Sequence, residues 1–227
     1  MPTALVTGAS RGIGREVAKE LSREGYTVLL GVRDPATAPA MRGARVEQVD
    51  IASRESIARL AARMPDLDVL VNNAGVYQAP RPEIWAVNVR GPLLLTRALL
   101  PKLNHGARVV MVTSGLGSLG SQSEALSRRL RDPALKLDDL LALCDEMPGG
   151  YGASKAALNA MARLFGEELR PRGILVNATD PGWVRTDMGG SGAPRSIAQG
   201  AASVLWACRL PPSGPTGGVF RDGMPAG

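Results

Sequence analysis

The stretch that decides the fold is Thr3-Ala-Leu-Val-Thr7, which runs directly into Gly8-Ala-Ser-Arg-Gly12-Ile-Gly14. A short apolar stretch that ends at a glycine is typical of a buried parallel strand, and the apolar spacing over residues 12–24 predicts a helix. The glycines allow a tight turn and bring a pyrophosphate close to the N–H groups at the helix N-terminus. Glycines alone are weak evidence, but the strand before them and the helix after them supply the required context. The segment therefore predicts a bound dinucleotide.

Short apolar stretches and longer helical patterns continue to alternate along the chain. They predict strands at 3–7, 27–31, 45–49, 68–71, 108–113 and 174–178, a last edge strand at 219–220, and helices at 12–24, 53–63, 92–103, 151–170 and 195–207. Repeated β-α-β units with short connections form a parallel sheet that helices cover on both faces. We therefore expect an α/β fold, a single Rossmann domain over residues 1–227 with a doubly wound parallel sheet of six to seven strands. Residues 115–150 interrupt the alternation as a helical insertion, with helical patterns near 123–131 and 135–144.

The composition excludes several classes of protein. One His and two Cys in 227 residues cannot supply the three or four ligands of a zinc site, so we expect no metal. The two cysteines make no disulfide framework. A Ser-His-Asp hydrolase would depend on His105 alone. With 44% apolar and 21% charged residues, the chain can bury a sizeable core.

The formal net charge of +6 is compatible with a nucleic-acid partner, but the basic residues are scattered. Three Trp, three Tyr and two Phe offer no stacking platform for single strands, so we expect no nucleic-acid partner. The sequence before the first strand lacks the basic segment of a signal peptide. No apolar stretch approaches the ~20 residues that span a bilayer. We expect a cytoplasmic protein without a membrane partner.

Tyr151 and Lys155 are four residues apart, which places both side chains on one face of a helix. An ammonium beside a phenol favours the phenolate and lowers the tyrosine pKa from its usual ~10. Such a tyrosine can give a proton to a carbonyl oxygen as a hydride arrives. Ser114 ends the fifth predicted strand, where parallel sheets of this class present their ligand crevice. A solvated helix face would give the same Tyr–Lys spacing, so this pair alone is not decisive.

Six motifs in order resemble the short-chain dehydrogenase/reductase family and cover nearly the whole chain. They are residues 7–14, Asn72-Asn73-Ala74-Gly75, Asn88, Ser114, Tyr151-Gly-Ala-Ser-Lys155 and Pro181-Gly182. The resemblance implies a catalytic set of Ser114, Tyr151, Lys155 and Asn88. In that set Ser114 orients the substrate oxygen, and Lys155 lowers the pKa of Tyr151 and binds the ribose hydroxyls. Asn88 links Lys155 to a water chain that resupplies the proton.

The end of the second strand discriminates between the nicotinamide cofactors, because a carboxylate there binds the ribose 2′-hydroxyl of NAD. By resemblance Val32 takes the place of that carboxylate and Arg33 follows it. An arginine suits the 2′-phosphate of NADP, and Arg11 could flank the same phosphate, so we expect NADPH or NADP rather than NAD. Asp34 keeps NAD open, since a register shift of two would restore an acid.

The expected cofactor contacts extend along the whole crevice. By resemblance, Asp50 and Ile51 hold the adenine, and Val184 and Thr186 hold the nicotinamide carboxamide. The full set is Gly8, Ser10, Arg11, Gly12, Ile13, Gly14, Arg33, Asp50, Ile51, Asn73, Ala74, Gly75, Tyr151, Lys155, Pro181, Gly182, Val184 and Thr186.

Two departures from the family pattern carry further expectations. The insertion at 115–150 and the segment Gly182-Trp-Val-Arg-Thr-Asp-Met188 resemble the monomeric carbonyl reductase branch. We expect a monomer, because the insertion can cover the helices through which family oligomers pair; a lid over the substrate is its other open role. The helix that usually precedes the active-site Asn is expected to be reduced to a loop at 75–88, which would leave the pocket open to a bulky substrate.

Together these features predict an NADPH-dependent oxidoreductase that reduces a ketone or aldehyde to an alcohol by hydride transfer, with Tyr151 as the general acid. The expected partner is a small-molecule carbonyl substrate. Two alternatives stay open, an NAD-dependent alcohol dehydrogenase of the same family and a catalytically silent NADP-binding regulatory protein.

Overall fold

The structure is a computed structural model that describes residues 1–226. Its strands are β1 (Thr3–Thr7), β2 (Thr27–Val32), β3 (Ala44–Gln48), β4 (Leu67–Asn72), β5 (Leu103–Val112), β6 (Leu175–Thr179), β7 (Val219–Arg221) and β8 (Met224–Pro225). They form one sheet in the order β3-β2-β1-β4-β5-β6-β7-β8, in which all neighbours are parallel except β7 and β8. The predicted fold class is confirmed, and the predicted six to seven strands are corrected to eight.

The additional strand, β8, comes from a tight hairpin at the C-terminal edge of the sheet. Asp222 and Gly223 form its turn with left-handed backbone, at φ values of 52° and 81°. Both residues of β8 are exposed, so the strand lacks the alternation of buried and exposed residues that identifies a strand in a sequence.

The helices are α1 (Gly12–Arg23), α2 (Arg54–Arg63), α3 (Arg81–Trp85), α4 (Gly91–Leu99), α5 (Glu124–Arg131), α6 (Leu137–Glu146), α7 (Tyr151–Glu168) and α8 (Ile197–Cys208). Two of them begin just after the predicted start because Ser53 and Ser196 are N-caps, each accepting a backbone N–H with its hydroxyl. Within residues 1–226, no helix is long and apolar enough to cross a membrane.

The loop expected at 75–88 is wrong in its second half. Pro82 lies in the first turn of α3, where a proline costs no helical hydrogen bond. The helix then widens into a π-helical segment, Ala86–Arg90, which leads directly into α4. Asn88 lies in this widened turn, and such π-helical turns recur at functional sites.

Successive residues of each central strand feed two separate cores. In β1, Leu5 points to the face covered by α2, α4 and α7, whereas Ala4 and Val6 point to the face covered by α1 and α8. Both faces of the strand are therefore buried, as a doubly wound parallel sheet requires. The carboxyl ends of β1, β4, β5 and β6 meet at one edge of the sheet, and the predicted site residues follow these strands.

Candidate active site

The proposed catalytic side chains come from three elements that converge at this edge. Ser114 lies two residues after the end of β5, Tyr151 is the first residue of α7, and Lys155 lies one helical turn further on. The Lys155 Nζ atom is 5.5 Å from the centroid of the Tyr151 ring. The structure thus brings Ser114, Tyr151 and Lys155 together.

The surroundings of Tyr151 hold its proton on the phenol. Burial raises the pKa of Tyr151 to about 12, and the negative charge of Asp180 acts in the same direction. A hydrogen bond with Ser114 opposes this by lowering the pKa. Tyr77 packs edge-to-face on the Tyr151 ring, with centroids 4.8 Å apart, and shields it further. The predicted lowering of the Tyr151 pKa is therefore not found, because loss of water around the phenol outweighs the hydrogen bond with Ser114.

Lys155 is enclosed by the end of the sheet. Its side chain is 5% exposed, and its Nζ donates a hydrogen bond to the Val112 carbonyl oxygen over 2.8 Å. Burial lowers the pKa of Lys155 to about 8, while the charge of Asp180 raises it. A cation in so dry a place is costly unless it is paired. Lys155 is therefore poised to gain from any acceptor that enters the crevice.

Asn88 is fully buried and fixes the loop after β4. Its Oδ1 accepts the Val76 N–H and its Nδ2 donates to the Val76 carbonyl, both over 2.9 Å, and Nδ2 also donates to Ser154. Gly75 lies between Asn88 and Lys155, because a Cβ there would be 3.3 Å from Asn88 Oδ1 and 3.7 Å from Lys155 Nζ. Asn88 is thus near Lys155, with its amide occupied by Val76.

The glycine turn after β1 is built around the Asn73 side chain. Asn73 Nδ2 donates to the carbonyl oxygens of Thr7 and Gly8, over 2.8 and 3.2 Å. A Cβ on Gly14 would lie 2.4 Å from Asn73 Nδ2 and 2.5 Å from the Gly8 carbonyl oxygen, so only glycine fits. Thr7 Oγ1 adds two bonds by accepting the N–H groups of Asn73 and Ala74. These hydrogen bonds therefore join the glycine turn and the loop after β4 into one unit at the base of the crevice.

Arg33 and Asp34 have different environments at the end of β2. The strand ends at Val32, and Arg33 is the first, exposed residue beyond it. Asp34 instead caps a short 3-10 helix, Pro35–Thr37, by accepting the Ala36 N–H over 3.0 Å. Its carboxylate already serves the local backbone, which favours Arg33 as the residue that meets the ribose.

Arg11 does not point freely into the crevice. It forms an exposed ion pair with Asp187 over 2.8 Å, which joins the glycine turn to the segment after β6. In the same place Thr186 lies against Gly12, where a Cβ would be 3.3 Å from Thr186 Cγ2. An exposed pair of this kind is weak, so a phosphate can compete for Arg11.

The remaining predicted cofactor residues lie along the same edge. Asp50 accepts the Ala52 N–H over 3.0 Å, and the buried Ile51 packs against Gly91. At the other end, Ile13 and Val184 both contact Gly200 of α8. Ser10, Pro181 and Gly182 occupy the turns that follow β1 and β6.

Three residues near the site were not anticipated from the sequence. They are Tyr77, whose ring packs edge-to-face on Tyr151; Ser154, which is hydrogen-bonded to Asn88; and Asp180, whose charge raises the pKa of both Tyr151 and Lys155. Their roles depend on long-range contacts. Only Asp180 carried a local signal, as an acid placed directly before the Pro181-Gly182 turn.

Two family models match the chain. The model described as short chain dehydrogenase matches residues 2–126, more than half of the sequence. The model described as Enoyl-(Acyl carrier protein) reductase matches residues 144–207. The chain belongs to the short chain dehydrogenase family, and the predicted family is confirmed.

The chain resembles individual reductases over nearly its full length. Carbonyl reductase (NADPH) 1 of Sus scrofa is 31% identical in an alignment 264 positions long that covers 96% of this chain and 91% of the relative. The solved structure of salutaridine reductase from Papaver somniferum has a TM-score of 0.84 at 27% identity, covering 98% of this chain and 100% of that one. The NADPH-bound carbonyl reductase from chicken fatty liver has a TM-score of 0.75 at 25% identity, covering 99% and 98%.

The burial of Lys155 predicts a measurable pH dependence of stability. With a pKa of about 8 in the fold, against 10.5 in an unfolded chain, Lys155 binds fewer protons when folded. The wild-type free energy of unfolding should therefore rise relative to that of Lys155→Met as the pH increases from about 8 to about 10.5. The free energy of unfolding of Lys155→Met minus that of wild type, measured by urea denaturation, should therefore be about 3 kcal/mol larger at pH 7 than at pH 10.5.

The control for this experiment is Lys136→Met, which removes an exposed lysine at the start of α6. Its stability difference from wild type should be the same at both pH values. An equally constant difference for Lys155→Met would contradict the account of a dry, costly ammonium.

Proposed function

We propose that the protein is an NADPH-dependent carbonyl reductase, which converts a ketone or aldehyde to an alcohol with Tyr151 as the general acid. The observation that carries the proposal is the meeting of Ser114, Tyr151 and Lys155 at the edge of the sheet where the glycine turn lies. Relatives named carbonyl reductase (NADPH) match 96% of the chain, and they confirm the predicted cofactor, NADP.

The crevice fits a dinucleotide phosphate. Within residues 1–226, no side chain caps the N-terminus of α1 at Arg11, so its N–H groups are available to an anion. Gly8 adopts a φ of 65°, and Gly8 and Gly14 keep side-chain atoms off the turn. In our proposal the pyrophosphate lies on this turn, and Arg33 and Arg11 hold the 2′-phosphate.

Each side chain has a distinct task in the proposed reaction. When bound, NADPH supplies the hydride that reduces the carbonyl carbon. Tyr151 keeps its proton at neutral pH, because burial raises its pKa to about 12, and gives that proton to the carbonyl oxygen. Ser114 orients the same oxygen by hydrogen bonding. Lys155 favours the phenolate that remains and binds ribose hydroxyls, and Asn88 holds the water path that returns the proton.

The surface around Tyr151 favours a bulky, largely apolar substrate. A cavity of ≈ 420 Å³ lies beside it, lined by loop residues that include Tyr77, Leu116 and Gln122. Leu116, one of these lining residues, is 55% exposed. A large exposed apolar side chain beside the proposed catalytic tyrosine offers contact area to an apolar ligand.

The insertion supports a monomer. Leu130 of α5 and Leu140 and Leu143 of α6 join the core shared with α7, so both helices cover the outer face of the domain there. Ion pairs tie α6 to the preceding helices, Arg90 with Asp145 over 2.5 Å and Arg97 with Asp138 over 2.6 Å. In our proposal the covered helices are those through which other family members pair.

Residence of the protein in the cytoplasm stays a prediction.

Sedimentation equilibrium over a wide range of protein concentrations tests the monomer. The expected result is the mass of a single chain at every concentration. A dimer or tetramer that persists on dilution would contradict the role proposed for the insertion.

Substitution of the general acid tests the mechanism. Tyr151→Phe removes the donated proton and keeps the ring, so kcat should fall by about 100-fold or more while the NADPH dissociation constant stays close to wild type. The matched control is Tyr77→Phe, which removes a hydroxyl from the ring that packs edge-to-face on Tyr151. We expect kcat of that control to remain near wild type. Substantial turnover by Tyr151→Phe would rule out the assigned acid.

Cofactor preference tests the role of Arg33. Arg33→Ala should weaken NADPH binding about tenfold, because a charge-assisted bond to the 2′-phosphate is lost, and should leave NADH binding unchanged. Arg131→Ala, at an exposed arginine of α5, serves as the control and should alter neither. Binding of both dinucleotides is measured by nicotinamide fluorescence. Equal weakening of NADPH and NADH binding would contradict this assignment.

A further inference from the structure

Asp180 is a buried carboxylate at the turn that follows β6. Its side chain is 2% exposed, and it directly precedes Pro181 and Gly182. A buried charge must be paired and hydrogen-bonded to be tolerated. Asp180 meets both requirements, since Oδ1 accepts the Gly182 N–H over 2.8 Å and Oδ2 accepts Nε of Arg221 over 3.0 Å. The guanidinium Nη2 of Arg221 donates to the same oxygen.

Arg221 belongs to the C-terminal hairpin formed by β7 and β8, which holds the turn at further points. The backbone N–H of Asp180 donates to the Phe220 carbonyl over 2.8 Å. Ser203 of α8 donates to the Asp180 carbonyl and accepts the Asp222 N–H, each over 3.0 Å. The hairpin and α8 thus fix both the backbone and the side chain of Asp180.

A second ion pair holds the same segment from its other side. Asp222 accepts two hydrogen bonds from Arg195, over 2.8 and 2.6 Å. Arg195 lies across Gly182, where a Cβ would come within 2.6 Å of Arg195 Cδ. Its backbone bonds with Trp183 and Arg185 make a short ladder that includes Val184. The segment from Pro181 to Thr186 is therefore clamped between Arg221 and Arg195.

The Asp180–Arg221 pair also lies against Gly115, the residue after the proposed catalytic Ser114. A Cβ on Gly115, which follows Ser114, would lie 2.9 Å from Arg221 Nη2 and 3.1 Å from Asp180 Oδ2. The negative charge of Asp180 raises the pKa of both Tyr151 and Lys155. A displacement of this carboxylate would therefore change both the conformation of the turn and the pKa of Tyr151.

We propose that Asp180 and Arg221 are positioning residues, through which the C-terminal hairpin holds the Pro181–Gly182 turn in the shape that receives the nicotinamide end of the cofactor. The proposal rests on the proposed function, because Val184 and Thr186 are its expected nicotinamide contacts. Binding of the adenosine end should not depend on this pair, because Asn73 and Thr7 hold the glycine turn.

Two ligands that differ only beyond the adenosine half separate this role from general stability. NADPH carries the nicotinamide, whereas adenosine 2′,5′-bisphosphate stops at the first phosphate. Asp180→Asn keeps an acceptor for the Gly182 N–H but turns an amide N–H₂ toward Arg221. It should weaken NADPH binding about tenfold, as misplacement of a positioned group does, and leave adenosine 2′,5′-bisphosphate binding unchanged.

Further variants test the same positioning role if Asp180→Asn folds poorly. Arg221→Gln should produce the same selective loss, and Arg221→Lys, which keeps the charge, should recover part of it. The double variant Asp180→Asn/Arg221→Gln should bind NADPH no more weakly than the worse single variant, because one pair is broken in each case. The control is Glu24→Gln, which breaks the distant Arg209–Glu24 pair and should leave both ligands unaffected.

The outcomes distinguish the two proposals. Equal weakening of both ligands by Asp180→Asn and Arg221→Gln, or no weakening of either, would overturn the positioning role while the proposed function stands. A wild-type protein that binds adenosine 2′,5′-bisphosphate but not NADPH would overturn both. Selective loss of NADPH with partial recovery in Arg221→Lys supports the assignment.

Discussion

The close contact between Gly14 and Asn73 is the constraint on which the crevice depends. The first turn of α1 lies so near the loop after β4 that a Cβ on Gly14 would be 2.4 Å from the Asn73 amide. That proximity lets Asn73 donate to the carbonyl oxygens of Thr7 and Gly8 and hold the turn open. Because α1 starts there without a side-chain cap, the proposed phosphate site consists mainly of backbone N–H groups and needs few side chains.

Burial governs the chemistry on the other side of the crevice. Loss of water raises the pKa of Tyr151 and lowers that of Lys155, so both groups are biased toward their neutral forms. A neutral phenol is the state that a proton donor requires. Asp180 moderates this bias at Lys155 and strengthens it at Tyr151, which connects the proposed proton donor electrostatically to the turn after β6.

The sequence was sufficient for the fold class and the family because both depend on local patterns. The glycine spacing at 8, 12 and 14 and the Tyr151–Lys155 spacing describe backbone and helix geometry that neighbouring residues dictate. The hairpin strand β8 was missed because two exposed residues carry no periodicity. The Arg11–Asp187 and Asp180–Arg221 pairs were missed because each joins residues far apart in the chain, and only the packed structure decides such partners. The predicted lowering of the Tyr151 pKa failed for the same reason, since burial depends on the loops around it.

The fate of the hydride tests the proposed reaction most directly. The protein is incubated with NADPH carrying deuterium at both positions of the nicotinamide C4 and with a panel of aryl ketones and aliphatic aldehydes, and the alcohols are analysed by mass spectrometry. Hydride transfer from NADPH predicts alcohols with one deuterium, bound to the carbinol carbon. Alcohols without deuterium, or no alcohol from any compound despite bound NADPH, would contradict it.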